Sequence, residues 1–430
     1  MTTNEELYER GLRVIPGGVN SPVRAFRSVG GVPYFVSRAE GAHVWDVSGL
    51  RFIDLVQSYG ASILGHADPE VVAAITEAAG RGSTYGAPTE GEVVLAEELC
   101  SRVPGMEQVR LVSSGTEAAM SAVRLARGAT GRSTIVKFAG NYHGHSDALL
   151  AAAGSGVAER VIGTGVVPDS AGVTAGAVAD TLVLPYNRVP TLTDDVAVVC
   201  VEPVAANMGL VTPQPGFLEG LRAECDRVGA LLLFDEVITG FRLGVGGATE
   251  RLGVRPDVWC FGKVIGGGLP MGAFGGSAEV MANLAPLGPV YQAGTLSGNP
   301  LATAAGLTVL RRLDSDAYAR LDATAAALAT GLRLAFTSAG IDVVVPRIGP
   351  LVGLFFGTQP PTDFEEASAS VALGRYPAFF HGMLQRGVAL APGPYEVMFP
   401  SLAHTDADIV QVVEAAHEVA AELAEGHASV

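Results

Sequence analysis

The sequence predicts an α/β protein, with a mainly parallel central sheet flanked by helices in a large domain and a smaller α+β domain after it. Two short apolar runs, at residues 196–201 and 230–234, have the length and composition of buried strands. Residues 217–228 lie between them and have the apolar spacing of a helix. Short apolar strands that alternate with helices are typical of a parallel sheet covered on both faces.

The elements around this core follow from similar patterns. Asp68 and Thr89 are plausible N-caps for helices over residues 69–79 and 90–102. The Gly- and Ala-rich stretch from about 145 to 180 is weakly periodic, which predicts a long loop or lid. Further helices are expected at 116–127 and 406–424, and strands at 34–36, 43–46, 52–55, 108–112, 133–138, 341–345 and 351–356.

Length and pattern together predict three regions. A chain of 430 residues is long enough for two or three domains. We expect an N-terminal segment over residues 1–75 that packs with the small domain, a large ligand-binding domain over 76–310, and a small C-terminal α+β domain over 311–430.

Composition argues against several classes of function. The net charge of −16 disfavours a broad nucleic-acid surface, which needs basic residues. No run of about 20 apolar residues predicts a membrane span, and no apolar secretory signal is seen, so we expect a cytoplasmic protein. The cysteines lie far apart, which predicts free and mostly buried thiols rather than disulfides or a zinc site: Cys100, Cys200, Cys225 and Cys260.

The scarcity of lysine singles out two positions. Of the 28 basic residues only Lys137 and Lys263 are lysines. Lys263 lies among apolar residues and before a run of glycines, surroundings that depress the pKa of an amine and let a flat ligand approach the backbone. Because arginine cannot form a Schiff base, Lys263 is the candidate for attaching an aldehyde cofactor, although a surface lysine before a turn would give the same pattern. Lys137 lies inside a predicted strand and is expected to extend its amine toward solvent.

Two further groups stand where predicted strands end. Asp235 follows an apolar run, and parallel sheets bind ligands at the carboxyl ends of their strands. A carboxylate there can pair with a protonated pyridine nitrogen; a helix cap or structural ion pair is the alternative, and Glu236 is a rival. Ser114, Gly115 and Thr116 join a strand to a helix, whose N-terminus can seat a phosphate, although ordinary N-capping explains the same residues.

Tyr142, His143 and His145 follow another predicted strand. The tyrosine ring could stack on an aromatic cofactor. No third ligand has a helpful spacing from the two histidines, so we expect no metal. The sequence contains neither a G-x-G-x-x-G nor a P-loop pattern. An amine, a carboxylate, an aromatic ring and a phosphate seat at strand ends together predict a site for pyridoxal 5′-phosphate.

These residues, in this order, resemble the class III aminotransferases, a family of fold-type I enzymes that depend on pyridoxal phosphate. The resemblance covers nearly the whole chain and is strongest to the family's aminomutases, which move an amino group between carbons of one amino-aldehyde. The most specific motifs are NSPVRAF (20–26), YGAPTEGE (85–92), SGTEA (114–118), YHGH (142–145), EPVAANMG (202–209), DEVITGFR (235–242), FGKVIGGGLPMGAFGG (261–276) and VYQAGTLSGNP (290–300).

The resemblance implies a role for each matching residue. Lys263 would form the Schiff base and move protons, while the cofactor alternates between pyridoxal and pyridoxamine 5′-phosphate. Asp235 would pair with the ring nitrogen, Tyr142 would stack on the ring, and Asn207 would lie near the ring hydroxyl. The other implied contacts are Ser114, Gly115 and Thr116 to the phosphate, Thr295 to the phosphate of the neighbouring subunit in a homodimer with shared sites, and Ser21 and Arg24 to the substrate carboxylate.

Glu396 distinguishes two activities within the family. The aminotransferases for ω-amino acids tend to have an arginine there, which accepts a second carboxylate, whereas the aminomutases have a glutamate. The resemblance therefore favours an aminomutase acting on one small-molecule substrate, although an exposed loop carboxylate would explain Glu396 as well. Two alternatives stay open: a two-substrate class III aminotransferase for a β- or ω-amino acid, and an inactive binding or scaffold protein.

The chain departs from the family pattern at several positions. Asn141 and Ala206 stand where a cysteine and a glycine are usual, and residues 58–66 lack the usual tryptophan and proline. Residues 153–173 are longer than the family's lid and differ in its middle. The longer segment would affect how the site closes over the reaction intermediate.

Overall fold

A computed structural model describes residues 2–151 and 168–427 of the chain. The helices are α1 Asn4–Val14, α2 Pro69–Arg81, α3 Glu90–Arg102, α4 Gly115–Thr130, α5 Ala175–Val178, α6 Phe217–Val228, α7 Gly247–Leu252, α8 Ala278–Met281, α9 Pro300–Arg312, α10 Ser315–Ser338, α11 Phe364–Val371, α12 Tyr376–Gln385 and α13 Asp406–His427. The strands are β1 Val36–Glu40, β2 His43–Asp46, β3 Arg51–Asp54, β4 Gln108–Val112, β5 Thr134–Phe138, β6 Thr181–Leu184, β7 Val196–Val201, β8 Leu231–Asp235, β9 Val258–Phe261, β10 Gly272–Gly276, β11 Val343–Val344, β12 Arg347–Ile348, β13 Leu351–Val352, β14 Phe355–Phe356 and β15 Val388–Ala389.

Seven strands form the central sheet, in the order β4-β10-β9-β8-β7-β5-β6. The strands from β9 to β6 run parallel, which confirms the predicted sheet, and β10 runs antiparallel to both β4 and β9. Alternate residues of the buried strand β7 enter two apolar cores, since Val198 and Cys200 pack with α4 and Val199 and Val201 pack with α6. Helices therefore cover both faces of the sheet, as its apolar strands require.

The sequence patterns did not identify β6, β9 or β10. Strand β10 has the sequence GAFGG, and glycine is depleted in most strands. Here the glycines allow close backbone contact, because a β carbon at Gly272 would overlap the carbonyl oxygen of Ser114, and one at Gly276 would lie 2.8 Å from that of Asp257. The same residues that obscure the strand in the sequence thus bring it against the turn at Ser114.

Segments from both ends of the chain share a second sheet and a second apolar core. The sheet has the order β1-β2-β3-β15, with β15 parallel to β3. Phe26 lies in one core with Phe336, Phe380 and Val419. These contacts support our proposal that residues 1–75 pack with the small domain; the domain limits themselves stay predictions.

Three expected strands differ from the structure, one in position and two in continuity. The strand expected at residues 34–36 is β1, Val36–Glu40, an edge strand whose mostly exposed polar side chains hide its pattern. The strands expected at 341–345 and 351–356 are four two-residue strands that pair as β11 with β14 and β12 with β13. Gly353 separates β13 from β14, and a β carbon there would lie 2.7 Å from that of Leu210, so the chain passes close to its neighbour at the break.

Several smaller expectations are confirmed. Asp68 caps α2, with its carboxylate accepting from the backbone of Glu70 and Val71. The four cysteines are free thiols, three of them buried and Cys100 half-buried. In the described ranges, no helix combines the length and the apolar character needed to span a bilayer. The lid predicted within residues 145–180 falls largely on residues 152–167, which lie outside the described residues.

Candidate active site

A pocket lies at the carboxyl ends of the parallel strands, beside the start of α4. The turn from β4 to α4 and the segments after β5, β7, β8 and β9 line it. It brings together seven of the residues that the sequence singled out: Ser114, Gly115, Thr116, Tyr142, Asn207, Asp235 and Lys263. Among the other lining residues is Glu202, to which the sequence analysis assigned no role.

Lys263 opens a short 3-10 turn directly after β9. Its φ of 50° is left-handed, a conformation that costs a residue with a β carbon about 1–2 kcal/mol. The preceding Gly262 packs closely, because a β carbon there would lie 3.2 Å from Cγ1 of Val237. Loss of hydration lowers the pKa of the Lys263 amine, while Asp235 and Glu396 act in the opposite direction. The backbone thus holds an amine that is easily deprotonated against the pocket.

Asp235 is the last residue of β8 and is 5% exposed. One carboxylate oxygen lies 2.8 Å from Nδ1 of His143, and the other accepts from the backbone N–H of Val237 at 3.1 Å. Burial lowers the pKa of His143, so the imidazole is neutral and donates from Nδ1 to the carboxylate. Within the described residues, Nε2 of His143 has no hydrogen-bond partner. These contacts fix the Asp235 carboxylate, which can still accept a hydrogen bond from a donor in the pocket.

The turn from β4 to α4 presents the start of a helix to the pocket. Ser114 is the N-cap, and its hydroxyl accepts from the backbone of Glu117 at 3.1 Å. Gly144 packs against this turn with a φ of 81°, and a β carbon there would lie 2.5 Å from Oγ1 of Thr116. The first N–H groups of a helix lack partners within the helix, so the turn can accept an anion.

Glu202 connects two other walls of the pocket. Its carboxylate accepts from the backbone N–H of Tyr142 at 2.8 Å and from Nδ2 of Asn207 at 3.0 Å. Both partners are only partly buried and line the cavity. The aromatic ring and the amide that the sequence singled out are therefore held by the same carboxylate.

The predicted substrate-binding residues lie apart from those that line the pocket. Glu396 opposes the burial that lowers the pKa of Lys263. Burial and then Glu396 raise the pKa of Tyr59, whereas exposed Arg24 acts to lower it. Ser21 precedes the 3-10 turn that carries Arg24 and is not among the residues lining the pocket. Thr295 is exposed and also outside the pocket lining of this single chain.

The two residues weighed as rivals have structural partners instead. Lys137 is fully buried, so the prediction that its amine reaches solvent is wrong. Its Nζ donates to the carbonyl oxygens of Leu149 and Ala151 at 3.1 and 2.8 Å, which replaces the hydration it loses. Glu236 faces away from the pocket, and its carboxylate accepts from the backbone of Thr249.

Sequence analysis left Glu202 and Tyr59 without a role. Glu202 follows a fully apolar strand just as Asp235 does, so the argument that identified the aspartate applies equally to it. Tyr59 gives no comparable signal. It lies in the turn Gln57–Gly60, which packs against the turn that begins at Lys263, and it has a left-handed φ of 55°. Only the folded chain brings that turn against the one that begins at Lys263.

The chemistry of these groups fits pyridoxal 5′-phosphate. A primary amine is available for an aldehyde, a buried carboxylate for a protonated ring nitrogen, and a helix N-terminus for a phosphate. The close packing at Gly144 and Gly262 leaves no space for side chains there. No cluster of side chains in residues 2–151 and 168–427 is suited to a metal ion. Fold and site together define a fold-type I enzyme that depends on pyridoxal phosphate.

The chain belongs to the class-III aminotransferase family, whose model, "Aminotransferase class-III", matches residues 26–419. It is 54% identical to a protein of Bordetella avium (strain 197N) named glutamate-1-semialdehyde 2,1-aminomutase. The alignment spans 417 residues, which are 95% of this chain and 96% of that protein.

Solved structures agree on the fold. An omega-transaminase from Sphaerobacter thermophilus superposes with a TM-score of 0.88 at 33% identity and 98% coverage of both chains. A glutamate-1-semialdehyde-aminomutase variant from Pseudomonas aeruginosa PAO1, in complex with PMP, has a TM-score of 0.85 at 29% identity, with 98% of this chain and 94% of that chain covered. Because transaminase and aminomutase share the fold almost equally, the backbone alone does not separate the two activities.

Proposed function

We propose that this protein converts glutamate 1-semialdehyde to 5-aminolevulinate with pyridoxal phosphate as cofactor. The reaction is an isomerisation through 4,5-diaminovalerate and supplies tetrapyrrole biosynthesis. The main support is the identity of 54% along 95% of the chain with a curated aminomutase, well above the 33% shared with the omega-transaminase.

One observation in the structure carries the distinction from a transaminase. Glu396 acts electrostatically on the Lys263 amine, in the direction that opposes the lowering of its pKa by burial. A carboxylate at this position repels a second substrate carboxylate and attracts an amino group. Glutamate 1-semialdehyde has one carboxylate, and both its amino group and the amino groups of the diamine intermediate suit a negative neighbour.

Residues on the sheet would hold the cofactor. Bound pyridoxal phosphate supplies an electron sink and a carrier for the amino group. Ser114, Gly115 and Thr116 would bind its phosphate and Asp235 its ring nitrogen. Lys263 would accept a proton from one substrate carbon and return it elsewhere, which its lowered pKa favours. General acid–base help of this kind is worth about 10²–10⁴-fold in rate.

Residues from the terminal segments would hold the substrate. Arg24 and Ser21 would bind the single carboxylate, since a guanidinium can pair with both of its oxygens. Both Arg24 and Glu396 act on the pKa of the Tyr59 phenol, in opposite directions, so both charges lie near this side chain. The charged groups on this side would therefore orient the substrate with its carboxylate away from Glu396.

A homodimer with shared sites completes the proposal. Thr295 lies in an exposed stretch of chain with large apolar side chains, which would lose water against a second copy. The exposed fractions are 76% for Leu287, 71% for Tyr291 and 54% for Leu296. In such a dimer Thr295 would reach the phosphate bound by the neighbouring subunit. A cytoplasmic location stays a prediction from the sequence.

Substrate dependence tests the activity directly. Purified protein loaded with pyridoxamine phosphate is incubated with glutamate 1-semialdehyde alone, and 5-aminolevulinate is measured. We expect multiple turnovers without any amino acceptor or donor. The likeness to an omega-transaminase gives the competing outcome: no product from the semialdehyde, and turnover of an ω-amino acid only when a keto acid is added.

A further inference from the structure

Glu202 is a buried carboxylate whose contacts join separate segments of the pocket. It follows β7 and is 3% exposed. Oε1 accepts from the backbone N–H of Tyr142, while Oε2 accepts from the backbone N–H of Ala206 at 2.9 Å and from Nδ2 of Asn207. All three partners are donors, and they suit the ionised carboxylate, whose two oxygens only accept.

The backbone of Glu202 is held by hydrogen bonds to two side chains. Its backbone N–H donates to Oδ1 of Asn141 at 2.9 Å, and its carbonyl oxygen accepts from the hydroxyl of Tyr186 at 3.1 Å. Asn141 and Tyr186 are themselves buried. Since both ends of the residue are anchored, the carboxylate has little freedom to follow Tyr142 or Asn207 if these move.

We propose that Glu202 is a positioning residue for the cofactor, and that its carboxylate sets the Tyr142 ring and the Asn207 amide at the spacing the cofactor ring needs. The inference rests on the proposed function, because it assumes that pyridoxal phosphate binds in this pocket. Glu202 acts through its two neighbours, whose hydrogen bonds cross from the segment after β5 to the segment after β7.

Within the residues that the structure describes, Glu202 interacts electrostatically with Asp235, Lys137, Lys263 and Tyr186. Burial, followed by Asp235, raises the pKa of Glu202 to about 7, against the effect of its three N–H donors. As the pH falls below about 7, the carboxyl group of Glu202 takes up a proton and can then accept fewer hydrogen bonds. The positioning of Tyr142 and Asn207 should therefore weaken as the pH falls through 7.

Glu202→Gln tests this role, since the amide has the same shape but presents a donor where the carboxylate presents an acceptor. Pyridoxamine 5′-phosphate is the probe, because it forms no covalent bond and its Kd reports non-covalent binding alone. At pH 8 we expect about 10- to 100-fold weaker binding and an altered circular dichroism band of the bound ligand. Near pH 6 the difference from wild type should shrink.

Glu236→Gln is the matched control, because Glu236 is an equally buried carboxylate at a strand end that faces away from the pocket. It should leave the affinity, the dichroism and the pH profile unchanged. Asn141→Ala is a second variant, which removes the acceptor behind Glu202 but keeps the carboxylate. It should weaken binding by about three- to tenfold and retain the wild-type dependence on pH.

The outcomes separate the two proposals. Wild-type affinity, dichroism and pH profile in a folded Glu202→Gln variant would overturn the role of Glu202 while leaving the proposed function standing. If Glu202→Gln does not fold, unchanged affinity in Asn141→Ala would overturn it instead. Wild-type protein that binds no pyridoxamine phosphate would overturn the proposed function, and this inference with it.

Discussion

The proposed cofactor side of the site and its proposed substrate side are built in different ways. On the cofactor side, Lys263, Asp235 and Ser114 follow strands of one buried sheet, and their positions are fixed by backbone packing. On the substrate side, Arg24 and Glu396 come from segments near the two ends of the chain and are held on turns. The residues that follow the sheet are buried or half-buried within the single chain, whereas the turn residue Arg24 is exposed.

The difference indicates how one fold serves several reactions. Pyridoxal phosphate chemistry needs the same amine, carboxylate and phosphate seat for every substrate, and the sheet holds these rigidly. In our proposal, selectivity between an aminomutase and a transaminase would depend on charges on turns, which can change without disturbing the sheet. Changes on the cofactor side should therefore abolish turnover of any substrate, while changes on the substrate side should be selective.

The largest effect is expected at the end of β8. Asp235→Asn replaces the charge that would stabilise a protonated ring nitrogen, and also the partner of His143. We expect kcat to fall by about 10²–10³-fold with every amino substrate. Steady-state kinetics with the semialdehyde and with an ω-amino acid would check this. A loss confined to one substrate would break the division between the two sides.

Protonation of His404 should lower the folding stability of the protein at acid pH. Burial lowers the pKa of His404 to about 4, with Asp54 and Asp408 acting in the opposite direction and His43 in the same direction as burial. The unfolded chain then binds more protons than the folded one between pH 4 and 6.5, so stability is lost as the pH falls through that range. The loss approaches about 3 kcal/mol near pH 4.

His404→Asn should flatten that part of the stability profile, because asparagine can still accept from Ser401 but does not titrate. Urea unfolding at several pH values between 4 and 7 measures the difference. A variant whose stability falls with acid as steeply as the wild type would show that the sensitivity arises elsewhere.

Reversing the charge on the substrate side should change selectivity rather than chemistry. Glu396→Arg is expected to lower kcat/KM for glutamate 1-semialdehyde by about tenfold or more, since the guanidinium now repels an amino group. Turnover of a dicarboxylate amino acceptor should rise in the same variant. Glu396→Gln is the neutral control and should be intermediate; equal losses with both substrates would remove Glu396 from the account of selectivity.

The smallest effect is expected at Thr295. If its hydroxyl reaches the phosphate of the neighbouring subunit, Thr295→Ala should weaken cofactor binding by about fivefold, the loss of one hydrogen bond, without dissociating the dimer. Equilibrium titration and analytical ultracentrifugation measure the two quantities. Ser297→Ala, in the same stretch of chain, should change neither. A weakened dimer with unaltered affinity would place Thr295 in the interface alone.

The sequence predicted the cofactor side better than the substrate side for a physical reason. Strands β7 and β8 are apolar throughout, so their ends, and hence Asp235, could be located from the pattern. No local pattern reports that the turn around Tyr59 packs against the turn that begins at Lys263, because the two are about 200 residues apart and meet only through tertiary contacts. Lys137 was misjudged for a related reason, since its carbonyl partners come from a turn that the pattern leaves undefined.

The site of covalent attachment is the most direct test of the whole account. Protein loaded with pyridoxal phosphate is reduced with borohydride, digested, and mapped by mass spectrometry, with Lys137→Met as a variant that keeps the buried volume. We expect the cofactor on Lys263 in both the wild type and the variant, and no labelled peptide in Lys263→Ala. Attachment at Lys137, or retention of label in Lys263→Ala, would contradict the account.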